Sequence, residues 1–65
     1  MNWISRSNQE IKPPIDRALL CYCPEWNDSG YQIATFNGRE FEYDEMPNEM
    51  FDALVTDWTI FIEVD

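Results

Sequence analysis

The chain has 65 residues, with thirteen acids, four bases and no histidine, for a net charge of −9. This balance excludes affinity for DNA, RNA or an anionic membrane, because attraction to phosphate comes from Lys and Arg. A composition 45% hydrophobic and 15% aromatic is too apolar for a disordered tail, yet a chain of this length buries only about 60% of its unfolded surface and has little room for the walled pocket of most enzymes.

In chain order, Met1-Asn2-Trp3-Ile4-Ser5-Arg6 lacks the basic and apolar regions of a signal peptide, so a cytosolic protein is expected. Trp3-Ile4 is expected to add an edge strand or to plug the core. Residues 6–17, polar and carrying Pro13-Pro14, read as a loop. Ala18 to Cys23 is the longest apolar run. It is far too short for a membrane span and reads as a central strand buried on both faces. Cys21 and Cys23 share one side of that strand and read as reduced, buried thiols. Pro24 to Gly30 is turn chemistry.

Asn37-Gly38 separates two alternating runs, Tyr31–Phe36 and Arg39–Asp44, and predicts a hairpin with a two-residue type I′ turn. Its register would place Phe36 opposite Arg39 and Ile33 opposite Glu42. Pro47 is suited to open a short helix, with Met50, Phe51 and Leu54 on its apolar side and Asn48, Glu49 and Asp52 on the other. Residues 55–64 alternate again and read as a half-buried strand. The sum is a single α+β domain over 1–65: a mostly antiparallel sheet of about four strands with one short helix.

Charge is polarised along this chain. Residues 1–38 carry four acids against three bases, whereas residues 39–65 carry nine against Arg39 alone. In the hairpin, Gln32, Ala34, Phe36, Arg39, Phe41 and Tyr43 are expected on the core face. Tyr31, Ile33, Thr35, Glu40, Glu42 and Asp44 fall on the other. Carboxylates at alternate strand positions stand roughly 6.6 Å apart, so this second face sets a row of acids beside an exposed Tyr and Ile. Such a row is also the ordinary solvated face of a strand. Crowding nine acids around one base nevertheless costs repulsion that a mixed-sign surface would avoid.

Catalytic chemistry finds no support. No His is present to activate Ser5, Ser7 or Ser29, and no glycine-rich phosphate loop occurs. Glu40, Glu42, Asp44 and Glu45 lack the spacing of a calcium loop, and two Cys without His make no zinc site. The expectation is a protein that is not an enzyme, with no metal and no cofactor. Trp26, set in a polar turn, becomes a contact residue if it is exposed.

Trp3-Ile4-Ser5, a Pro in the following loop, the strand Leu19-Leu20-Cys21-Tyr22, a Gly-containing hairpin and Val55-Thr56-Asp57-Trp58 together resemble a small phage and prophage family, domain-of-unknown-function family 551. The chain departs from its pattern in having Asp57 where the family has His, and Thr59-Ile60-Phe61-Ile62 in place of a proline-containing tail. That family carries no assigned activity. The resemblance implies a phage or prophage origin and a cytoplasmic setting in a bacterial host.

Taken together, these readings lead to a small acidic inhibitor of a basic, nucleic-acid-binding host or defence protein, acting as a nucleic-acid mimic of the anti-CRISPR or anti-restriction type. Glu40, Glu42, Asp44, Glu45, Glu49 and Asp52 are the expected contact charges, with Tyr31 or Trp26 as anchors. The alternative is an accessory interaction module without mimicry, in which the acids only solubilise and an apolar edge or a homodimer face does the binding.

Overall fold

The apolar run at 18–23 forms the middle of a five-stranded sheet. The computed structural model describes residues 2–61. Its elements are β1 (Ile4–Ser5), β2 (Leu19–Tyr22), β3 (Tyr31–Phe36), β4 (Phe41–Glu42), α1 (Asn48–Leu54) and β5 (Asp57–Ile60). Spatial order is β1-β5-β2-β3-β4, and every pairing is antiparallel. The α+β class is as the sequence predicts, with one strand more because Ile4–Ser5 pairs with β5 as an edge. Of the predicted last strand, Ile62, Glu63 and Val64 lie outside the described residues.

The connection from β4 to β5 must pass β3 and β2, and α1 makes that passage over one side of the sheet only. Leu19 and Cys21 of β2, Ala34 of β3, Phe41 of β4 and Trp58 of β5 point to that side. Phe51 and Val55 close over them, and all seven are at most 6% exposed. Cys23 belongs to the same cluster. Among the described residues no helix or strand packs over the opposite side, and Leu20 and Tyr22 are half-buried. The expectation that β2 is buried on both faces therefore holds for one face.

Pro47 does not enter the helix. Its ψ of 141° is extended, so α1 starts one residue later. The buried stripe of this seven-residue helix is Phe51 with Leu54, and Met50 turns out to solvent, 58% exposed. Asp52, expected on the outer side, faces inward: Oδ1 accepts from Phe41 N at 2.9 Å and Oδ2 pairs with Arg6 at 2.8 Å. Arg6 also donates to the Asp52 and Val55 carbonyls at the helix end and lies over the Phe41 ring, 5.7 Å from its centroid. One side chain thus ties the chain start, the helix end and β4 together.

The hairpin register differs from the predicted one by two residues. Phe36 pairs with Phe41 and Thr35 with Glu42, leaving residues 37–40 as the turn. The Asn37 side chain is the reason. Its Oδ1 accepts from Arg39 N at 2.8 Å and Glu40 N at 2.9 Å, and its N–H donates to the Glu40 carbonyl. The side chain thus satisfies two backbone donors, and the bond from the Asn37 backbone N–H closes the turn. A shift of two preserves which residues share a face, so the predicted division of the hairpin into two faces survives the wrong register.

Both thiols are fully buried and free. Burial pushes the Cys21 thiol up to about 12, with help from Cys23, and the Cys23 thiol up to about 11. They pack as apolar groups. Trp58 Nε1 is the buried side-chain donor without a partner among the described residues, a cost of about 1–3 kcal/mol that the packing of Trp58 must exceed.

Candidate functional site

Three rows of side chains cross the open face of the sheet. Backbone register sets Asp57 opposite Tyr22 and Tyr22 opposite Tyr31, and Ser5 opposite Asp57. One step along, Thr59, Leu20 and Ile33 stand in line. Beyond these, Thr35 faces Glu42. The face is therefore aromatic at one end, aliphatic in the middle and acidic at the far edge. Tyr31 and Ile33, each 46% exposed, and Trp3, 38% exposed, stand on it uncovered.

The predicted contact charges divide into three groups. Glu42 and Asp44 line a shallow hollow of about 200 Å³ with Ala18, Ile33 and Thr35, so these two carboxylates adjoin the apolar row. Glu45 and Glu49 are exposed beside them in sequence, Glu45 accepting from the Tyr43 hydroxyl at 2.7 Å. That bond and the neighbouring carboxylates of Glu45 and Asp44 raise the Tyr43 hydroxyl above its ordinary value. Glu42 takes a hydrogen bond from the Asn48 amide at 2.8 Å, which ties the acidic edge to the helix start. Glu40 stands apart, half-buried in the turn closed by Asn37. Asp52 is committed to Arg6 and Phe41 and is part of the fold. Because β4 is only two residues long, the straight row Glu40–Glu42–Asp44 does not form. Glu42 and Asp44 share the hollow on the open face, and Glu45 and Glu49 follow them along the chain as exposed acids, Glu49 on α1.

Trp26 does not meet the condition set for it. It is half-buried against the core, its indole N–H donates to Gln32 Oε1 at 3.1 Å, and its ring meets Tyr43 edge-on. Tyr31 lies where predicted, on the open face. Trp3, expected with Ile4 in an edge strand or as a plug in the core, stands instead on the open face, its ring stacked on Tyr31 at 5.7 Å between centroids. Strand alternation continued one residue back from Ile4 would have placed it there.

Three of the four bases gather on the other side. Arg6, Lys12 and Arg39 line a hollow of about 220 Å³ with Ile11, Phe36 and Phe41, and the two Phe belong to the covered side. All acids except Glu63 and Asp65 lie among the described residues, and of these Asp52 alone is ion-paired there.

Among the described residues no group of three His, Cys, Asp or Glu is placed to hold a metal ion, and no helix is long and apolar enough to cross a membrane. No family model, curated protein or solved structure matches the chain. The phage-family resemblance thus rests on its short motifs.

Proposed function

We propose that this protein binds a basic, nucleic-acid-binding protein of a bacterial host and blocks it by presenting carboxylates where phosphates would sit. The observation that carries this reading is the pair Glu42 and Asp44 beside Ile33 at the edge of the exposed apolar row, followed along the chain by the exposed Glu45 and Glu49, with none of the four ion-paired among the described residues. Unpaired like charges held together raise the local field and the cost of compactness alike. A basic groove relieves that repulsion on binding and is steered to it. The phage resemblance supplies the setting: the cytoplasm of an infected cell, and a defence or replication protein as target.

A second reading is favoured by one observation of its own. Trp3, Tyr31 and Ile33 form a contiguous exposed apolar surface, which suits an accessory interaction module, or contact with a second copy, in which charge is secondary.

Salt distinguishes the two. The test is capture from bacterial lysate on the immobilised protein with stepwise salt elution, beside an Asp44→Lys/Glu49→Lys variant. These two acids are exposed, and neither supports the fold through an ion pair. Mimicry predicts a nucleic-acid-binding protein released by moderate salt and by competing DNA or RNA, and lost in the variant. A partner that resists high salt and ignores both substitutions would establish the apolar reading instead.

A further inference from the structure

At the aromatic end of the open face, the register brings a carboxylate and three rings together. Asp57 stands across from Tyr22, and Tyr22 across from Tyr31. The ring centroids of Trp3, Tyr22 and Tyr31 are mutually 5.5 to 6.1 Å apart, and these three side chains with Asp57 line a hollow of about 270 Å³. Tyr22 is held in place from below. Gly30, at φ +79°, packs so closely that a Cβ there would come within 3.0 Å of the Tyr22 ring. The Asp57 carboxylate accepts from the Thr56 hydroxyl at 3.0 Å and has no ion pair among the described residues.

We propose that this hollow is a guanidinium site, taking one arginine side chain of the basic partner. Aromatic faces carry the negative lobe of the ring quadrupole and attract cations, and a half-buried carboxylate beside them selects for positive charge. Geometry chooses among cations. A group held between two parallel rings needs them about 7 Å apart, twice the ~3.5 Å contact distance. Trp3 and Tyr31 stack at 5.7 Å with 19° between their planes, so nothing enters between them, and a bulky quaternary ammonium is not enclosed. A planar guanidinium instead lies flat on an outward ring face while its edge donates to Asp57. Lysine offers a more strongly hydrated point charge with no planar face. An anionic group is repelled by Asp57.

This assignment rests on the reading that the partner is basic, but the site is testable without the partner. The probe is Nα-acetyl-arginine methylamide, added to the full chain and followed by NMR at the Trp3 indole and the Tyr22 and Tyr31 rings. Saturable shifts confined to these groups are expected, with a midpoint on the order of millimolar for so small a ligand. Asp57→Asn, close in shape, should weaken the interaction about fivefold or more, and the neutral citrulline analogue should bind about tenfold more weakly. Absence of saturation would overturn the assignment, as would citrulline binding equally well, trimethyllysine binding more tightly, or indifference to Asp57→Asn. Arginine binding without salt-sensitive capture from lysate would keep the site and remove the mimic. Capture without arginine binding would do the reverse.

Discussion

The two sides of this sheet are built from similar residues and are finished differently. On the covered side, Leu19, Cys21, Phe41, Phe51 and Trp58 are at most 2% exposed, and of the polar groups that reach it Asp52 and Gln32 are hydrogen-bonded while Trp58 Nε1 has no partner among the described residues. On the open side, Trp3, Tyr31 and Ile33 retain more than a third of their surface, beside carboxylates that have no base. The described residues hold one helix, and the β4-to-β5 passage commits it to one side. The contrast places the buried core on one side and, on the proposed reading, recognition on the other.

Substitutions sharpen that contrast from its largest effect downward. Phe51→Ala removes the fully buried contact of α1 with the sheet, and deletions of this kind cost about 3–5 kcal/mol. In a domain this small that is most of the available stability, so urea denaturation should find the variant largely unfolded in water. Asp52→Ala should cost about 1–3 kcal/mol, because it leaves Phe41 N without an acceptor and Arg6 without its carboxylate. Asp52→Asn keeps the acceptor and should lose less than about 1 kcal/mol, the range of a partly exposed ion pair. Equal losses in the two variants would show that the ion pair, and not the Phe41 bond, holds this joint. On the open side, Ile33→Thr should change stability by no more than about 0.5 kcal/mol while weakening partner capture.

The thiols give a test of the covered side that needs no substitution. Both are raised above the ordinary 9.0, Cys21 to about 12 and Cys23 to about 11. Between pH 9 and these values the unfolded chain loses protons that the folded chain keeps. Stability from this source is therefore complete below about pH 9 and falls as pH rises toward 11 and 12. Denaturation midpoints should decline over that window, and a Cys21→Ala/Cys23→Ala variant should show a shallower decline. At pH 8 a thiol reagent should modify the native protein only at the rate at which it opens.

Much of the fold is legible in the sequence because its signals are local. The apolar run at 19–22, the alternation of 31–36 and Phe51 with Leu54 each report their own burial. The two faces of the hairpin are legible as well, since alternation survives a two-residue slip. The slip itself lies in one side chain, Asn37, which closes its own turn where the Asn-Gly pair suggested a tighter one. What local pattern does not carry is pairing at a distance. Asp52 looks like an outer-face acid until Arg6, 46 residues away, is brought to it. Trp26 looks like an exposed anchor until Gln32 and Tyr43 enclose it. The candidate site was half visible for the same reason: Tyr31, Glu42 and Asp44 follow from alternation, whereas the meeting of Trp3, Tyr22 and Asp57 depends on β5 inserting between β1 and β2.

The central claim is that recognition belongs to the open side and its acidic edge. It is tested most directly by NMR shift mapping of the labelled protein mixed with the partner recovered from lysate. The account predicts changes at Trp3, Tyr31, Ile33, Glu42 and Asp44, with Lys12 and Arg39 on the other side unchanged. Changes centred on the hollow of Arg6, Lys12 and Arg39, with Tyr31 and Asp44 unmoved, would contradict it.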